Sequence, residues 1–388
     1  MNTLYCTFIA AAVVLSSPIC SAETVDGPAA GAAAASAPML RRTIQHDGVE
    51  REYFVHLPDQ NTGPRARLPV VVGIHGYTST ATGFQLAHDL NRHADKHGYI
   101  IVYPQGSHFR AADAQGKPVL ITTWNDLTAN QPQPTAGPHC TDASAHYPCP
   151  PECGECGRCA WQSCYDDVGF ITKVLDQVQV EFRVDERRVY LLGVSSGATM
   201  ALRLGCSLSD RFAAIAPIIG QPLPGHACSP FVDTPMLHLF GAKDEVIRYD
   251  GKAGQADGFI YTSAADTAAA WAAGLACQAG PNRWQSAISE RAGLECTAYS
   301  HCRVEGQEVV SCMDPDGGHV WPEQTSGLPD ATCVTSEQYE SLPDQHRCPA
   351  PTGEARHLGM DLIWAFFSRY RQSIAITPKT AAAGPATN

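Results

Sequence analysis

The chain has 388 residues, 44% of them hydrophobic, and a formal net charge of −12 with no run rich in Lys and Arg. That length is ample for one large core or two smaller ones. The acidic balance argues against nucleic acid or an anionic membrane surface as a partner.

The N-terminal stretch Met1 to Ala22 has an apolar centre, Phe8 to Leu15, followed by small residues in Cys20-Ser21-Ala22. It is expected to be a secretory signal, although its first residues carry no Lys or Arg. The alternative is a short membrane anchor, but the apolar run falls short of the roughly 20 residues a span needs. Ile19 before Cys20 does not suit a lipoprotein cleavage site, and no later stretch is long and apolar enough to cross a membrane. Of the 16 cysteines, Cys6 and Cys20 lie in this leader, and the 14 that remain are an even number. In an oxidising compartment they could all pair, in a pattern that sequence does not fix. Residues 23–40, rich in Ala, Gly and Pro, read as a flexible linker.

Arg41 to Gln45 and Val49 to Leu57 read as strands joined at Asp47-Gly48, a hairpin turn signal. Pro69 to Ile74 and Tyr99 to Tyr103 are continuous apolar runs, expected of strands buried on both faces. Between them Phe84 to His97 has helical spacing and stops at Gly98. Val168 to Val180 repeats apolar residues at the helical period. Arg188 to Leu192 reads as a strand and Ala198 to Leu204 as a helix. Phe212 to Ile219 and Met236 to Phe240 are short apolar strands, and Thr262 to Leu275 is an Ala-rich helix. Met360, Ile363, Trp364 and Phe367 mark one face of a last helix, and residues 372–388 read as a disordered tail. Strands alternating with helices predict one α/β domain over residues 41–371, with a mainly parallel sheet and helices on both faces. Two long polar, Cys-bearing stretches interrupt the alternation: an insertion over 107–165, and residues 324–356. Such loops at the C-terminal ends of strands build the pocket in α/β enzymes.

The chemistry-bearing stretch is Gly193-Val194-Ser195-Ser196-Gly197, a G-x-S-x-G pattern between a strand and a helix. That context is what a nucleophile elbow requires, the glycines making room for a turn so sharp that side chains there would collide. A serine hydroxyl needs a base, and the base needs a carboxylate to orient it. Asp244, just past the strand Met236 to Phe240, stands where the acid belongs, and His319 sits in the glycine-rich Gly317-Gly318-His319 loop before the last helix. Asp314, Asp316 and Glu245 are rivals for the acid, the first two in a Pro/Gly surface turn. The backbone N–H groups of Tyr77, after the strand Pro69 to Ile74, and of Ser196 are the expected oxyanion donors. Trp124 and Trp321 are candidates to stack on an aromatic acyl group, as is Trp161.

Together with His75-Gly76-Tyr77, Tyr103-Pro104-Gln105-Gly106, Asp166 to Phe170, Phe212 to Pro217 and Gly317 to Pro322, these motifs fall in one order from Thr43 to Ser368. In this the chain resembles the secreted polyhydroxybutyrate depolymerase and feruloyl esterase family of α/β hydrolases. The resemblance implies an α/β-hydrolase fold, Ser195 as nucleophile, Asp244 as acid and His319 as base, an acyl-enzyme, and no cofactor. Family members often carry Gly-Gly where this chain has Gly197-Ala198, and His-Gly where it has Phe240-Gly241. Both departures bear on the acyl pocket. Feruloyl-type esters of plant polysaccharide lead as substrate, with hydroxybutyrate oligomers next. An acyltransferase on the same triad and a non-catalytic binding protein on this fold are the other readings. Within the insertion, Cys153-x-x-Cys156-x-x-Cys159 could hold zinc or an iron–sulfur cluster. Export and the even cysteine count favour disulfides, and no metal is assigned.

Overall fold

The structure is a computed structural model that describes residues 38–59, 66–112, 116–126, 139–144, 147–148, 150–154, 163–225, 233–322, 328–343, 345–353 and 357–372. The expected signal, most of the linker and residues 373–388 lie outside these, as do Trp161, Cys156 and Cys159. Two boundaries move. Met39, read as linker, is buried, and Leu40 opens the first strand. Gln372, read as tail, is held at both ends: its N–H donates to the Arg187 carbonyl (2.8 Å) and its side-chain amide to those of Ser209 and Phe212 (both 2.7 Å).

A hairpin opens the fold: β1 (Leu40–His46) and β2 (Val49–His56) pair antiparallel across Asp47 and Gly48, both at positive φ, as the turn signal predicts. Then come β3 (Leu68–Ile74), β4 (Ile100–Pro104), β7 (Val184–Val194), β8 (Ala214–Ile218), β9 (Met236–Gly241) and β12 (Val309–Asp314). These six run parallel in the order β4-β3-β7-β8-β9-β12, with β2 and β1 antiparallel beyond β4. At the other edge β11 (Glu295–Ser300) and β10 (Ala279–Trp284) add antiparallel strands absent from the sequence reading. They are short, and β11 alternates exposed and buried positions, so no continuous apolar run marks them.

The two faces follow the period of two along each strand. Val71, Tyr190, Leu192 and Leu237 pack with α1 (Ala81–Ala87), α2 (Leu90–His97) and α8 (Leu358–Phe367). Val70, Val72, Leu191 and Ile215 pack with α3 (Asp167–Glu181), α4 (Ser196–Ser207) and α5 (Ala264–Gly274). Helices on both faces of a mainly parallel sheet, with a strand–turn–helix elbow at its centre, make the α/β-hydrolase fold the sequence implies. One expected helix, Phe84 to His97, is two: Asp89 adopts the left-handed conformation (φ 49°, ψ 39°) and breaks it. Aspartate tolerates that region better than most residues, and the break lets Phe84, Leu90 and Ala94 all reach the same core.

The insertion contributes a hairpin of its own, β5 (Ser107–Ala112) with β6 (Pro118–Thr123). Every described cysteine is disulfide-bonded. Cys153 bonds Cys164 within the insertion, so Cys153 is not a metal ligand. Cys296 bonds its cross-strand neighbour Cys312, Cys277 bonds Cys302, and Cys333 bonds Cys348 in the second long loop. Among the described residues no helix is long and apolar enough to cross a membrane.

Candidate active site

Ser195 stands between the end of β7 and the first residue of α4, with φ 57° and ψ −124°. That conformation is costly for a residue with a side chain and persists only where the surroundings enforce it. The surroundings are backbone. A Cβ on Gly193 would lie 2.0 Å from the Gly197 carbonyl oxygen, and one on Gly197 would lie 2.3 and 2.4 Å from the carbonyl oxygens of Ile74 and His75. The glycines therefore let the elbow touch the end of β3, and Ser195 N–H is anchored on the Ile218 carbonyl at 3.0 Å.

The Asp244 and His319 loops are locked together by their main chains. Lys243 N–H donates to the Gly317 carbonyl (2.8 Å) and Ala242 N–H to that of Asp314 (2.9 Å). Asp244 is buried, and its Oδ1 accepts the N–H groups of Val246 (2.8 Å) and Ile247 (2.9 Å). Its Oδ2, thereby aimed, lies 2.8 Å from His319 Nδ1, and His319 Nε2 lies 2.9 Å from Ser195 Oγ. An ionised carboxylate can only accept, so Nδ1 carries the proton and Nε2 is free to accept from the hydroxyl. The rivals sit elsewhere: Asp314 Oδ1 accepts the Asp316 N–H at 3.0 Å, Asp316 pairs with Lys243 in solvent, and Glu245 is exposed.

The loop after β3 meets the elbow directly, a Cβ on Gly76 falling 3.4 Å from the Ser195 Cβ. Tyr77 follows in this loop, and Ser196 opens α4 with an N–H that no earlier helical carbonyl can accept. What fixes the loop was not legible in sequence. His75 is wholly buried. Its Nδ1 meets the Gly76 carbonyl at 2.8 Å, and its Nε2 accepts from Gly106 N–H at 2.9 Å. Loss of hydration pushes its pKa down to about 4, so the ring is neutral and can accept. Gln105 adds a contact to the same Nε2 at 3.2 Å while its Oε1 accepts Ala81 N–H (2.8 Å) and the Gln338 amide (2.6 Å). The insertion closes the other side, where Thr78 N–H donates to the Thr122 carbonyl at 2.9 Å.

Trp124 belongs to this brace. It is fully buried, and its indole N–H donates to the His75 carbonyl at 2.8 Å. Trp321, 7% exposed, stacks on His88 with ring centroids 4.6 Å apart. Neither presents a face to a ligand, so the expected substrate-stacking role of both is corrected to packing. A second aromatic cluster includes Tyr77 itself. Tyr77 meets Tyr147 edge-on (5.6 Å), Tyr147 meets Phe259 the same way (5.6 Å), and Tyr261, Leu223 and Ile247 complete the cluster. The insertion reaches it by pairing with the segment after the acid loop: Thr141 N–H donates to the Gly258 carbonyl and Ile260 N–H to that of His139. Asp257, 2% exposed, lies in the same segment. Its Oδ1 accepts Phe259 N–H, its Oδ2 has no hydrogen-bond partner, and it feels the charges of His319 and Asp244. The short Asp257-Gly258 turn was the one sequence signal for it, and nothing linear ties it to His319.

The arrangement can do acyl chemistry: a hydroxyl with a base, and a base with an orienting carboxylate. No family model matches the chain. Among curated proteins it is similar to feruloyl esterase B of Piromyces equi, 25% identical over 276 residues, which cover 69% of this chain and 42% of that protein. It is also similar to the putative esterase NocK of Nocardia uniformis subsp. tsuyamanensis, 28% identical over 356 residues, 82% of this chain and 89% of that one. A third relative is poly(3-hydroxyalkanoate) depolymerase C of Paucimonas lemoignei, 25% identical over 171 residues, 44% of this chain and 31% of that protein. The chain thus spans less than half the length of the first and third. The resemblance to feruloyl esterases and polyhydroxyalkanoate depolymerases is borne out by these matches.

Proposed function

We propose that the protein is a secreted serine esterase that hydrolyses carboxylic esters through an acyl-enzyme, with feruloyl-type esters of plant polysaccharide as its substrate class. The observation that carries this is the continuous chain Ser195 Oγ–His319 Nε2 at 2.9 Å and His319 Nδ1–Asp244 Oδ2 at 2.8 Å, ending on a strained elbow. Ser195 attacks the ester carbonyl as its proton passes to His319 Nε2. Asp244, fixed by its two backbone donors, holds the imidazole and stabilises the cation that forms. The N–H groups of Tyr77 and Ser196 receive the developing oxyanion. His319 then protonates the departing alcohol, and water, deprotonated by the same histidine, releases the acid. Tyr77 and Tyr147, the half-buried members of the aromatic cluster, offer the acyl group an aromatic edge. No cofactor enters this scheme. Export is supported by the leader-like N-terminus and by the disulfides.

Hydroxybutyrate oligomers are the second reading, favoured by the depolymerase relative. The full-length protein should be labelled by a fluorophosphonate, and the label should vanish in Ser195→Ala. A panel of methyl ferulate, p-nitrophenyl acetate and hydroxybutyrate oligomers separates the substrates. Cleavage of hydroxybutyrate oligomers alone would overturn the feruloyl assignment, and a folded protein that resists labelling would overturn the esterase.

A further inference from the structure

Apart from the triad, α2 and α8 hold a cluster of imidazoles that the acyl chemistry does not use. His93 and His97 are one turn apart on α2 and so share a face. Asp361 lies in the first turn of α8 and points to the same place. His93 Nε2 is 3.2 Å and His97 Nε2 is 3.5 Å from Asp361 Oδ1, and the three candidate donor atoms all lie within 4.8 Å of one another. The two rings stack with centroids 4.2 Å apart. His97 Nε2 is buried and has no hydrogen-bond partner.

We propose that His93, His97 and Asp361 bind a divalent cation, zinc first, which pins α2 to α8. The donor set is the borderline nitrogen and oxygen mixture that zinc prefers, presented by an i, i+4 histidine pair on a helix. The spacing fits. Ligands about 2.0–2.1 Å from a tetrahedral zinc stand about 3.3 Å from one another, and the two contacts to Asp361 are 3.2 and 3.5 Å. The surroundings fit as well. His93 Nδ1 is taken by the Tyr99 hydroxyl at 2.8 Å, which fixes the ring and leaves Nε2 facing Asp361. Trp364 covers the cluster, stacking on Tyr99 at 4.5 Å and lying 5.8 Å from the His97 ring. Lys96 Nζ, 3.4 Å from Asp361 Oδ1, is on an exposed side chain that can swing into solvent when the cation arrives. His357, the N-cap of α8, borders the group with its ring 5.3 Å from that of His93, while its Nε2 faces Asp89 Oδ2 at 3.6 Å. Water completes the coordination. Without a cation, two stacked imidazoles are crowded against one carboxylate in a place where apolar side chains would pack at lower cost.

The test uses the full-length protein stripped with a chelator and dialysed. Zinc chloride titrated in a calorimeter should bind at one equivalent and raise the Tm, and cobalt(II) in its place should give the visible absorption of a tetrahedral site. His97→Gln and Asp361→Asn should each weaken zinc binding by at least about tenfold and abolish the Tm rise, ligand loss costing no less than loss of an outer partner. Their metal-free melts and circular dichroism report whether the variants fold. Absence of saturable zinc binding by the wild-type protein would overturn the proposal. So would binding that both folded variants retain at full affinity, which would put the ion elsewhere.

Discussion

Replacing Gly197 by Ala probes the elbow most directly. The new methyl carbon would stand 2.3 Å from the Ile74 carbonyl oxygen and 2.4 Å from that of His75. Carbon and carbonyl oxygen settle at about 3.3 Å, so one backbone must retreat by about 1 Å. Neither is free to do so cheaply: Ile74 is wholly buried in the central sheet, and the His75 carbonyl is held by Trp124. Overpacking of this kind costs about 1–3 kcal/mol of stability. The larger effect is on chemistry, because the same shift separates Ser195 from the loop that carries the Tyr77 N–H, and a misplacement of about 1 Å costs about a hundredfold in rate. Gly318→Ala is the matched control in the His319 loop: its Cβ would find its nearest neighbour, the Lys243 carbonyl oxygen, at an ordinary 3.8 Å. The assay is kcat/KM on p-nitrophenyl acetate, with a thermal melt of each variant. Gly197→Ala should lose about two orders of magnitude in rate and melt lower, while Gly318→Ala stays within about 0.5 kcal/mol of wild type. A Gly197→Ala enzyme with unchanged rate and melt would refute the claim that backbone contact sets the elbow.

Two further predictions concern protons. His75 and His238 are fully buried, and loss of hydration holds each at about 4 against 6.5 in the unfolded chain. The unfolded state therefore binds more protons between these values. Stability is complete above pH 6.5 and falls by about 3 kcal/mol per histidine as the pH drops to about 4. Urea midpoints measured from pH 7 to pH 4 should decline across that window, and a flat profile would show that these rings are protonated in the fold. Asp257 has the opposite sign. Burial, with the charge of Asp244, raises its carboxyl above the ordinary 3.8, so its contribution is complete below that pH and is lost as the pH rises through the folded value. Asp257→Asn should accordingly raise the Tm at pH 7 and change it little at pH 3.5, whereas a lower Tm at pH 7 would reveal a partner for Oδ2.

The order of elements was legible because both faces of a parallel sheet must be buried, so runs such as Val70-Val71-Val72 and Ile100-Ile101-Val102 declare themselves. Ser195 was legible because its constraint is local: a turn this tight needs Gly193 and Gly197 on either side. Asp244 and His319 were legible as candidates, each just past an apolar strand or among glycines. Position past a late strand already favoured Asp244 over Asp314, and the tertiary structure adds the reason, since the Val246 and Ile247 amides aim the Asp244 carboxylate at the imidazole. Trp124 and Trp321 were misplaced for the same kind of reason. An indole's apolar face and its N–H are equally at home against a ligand or under a loop, and only the position of the His75 carbonyl decides for Trp124. The strands β10 and β11, the brace formed by His75 and Gln105, and the meeting of His93 and His97 with Asp361 all join residues distant in the chain, and no local period or propensity records such partners. The linear sequence determined which groups could do chemistry and the layers they hang from. The fold alone determined which of them touch, because a hydrogen bond or a shared cation depends on distance in space, and chain separation says nothing of that.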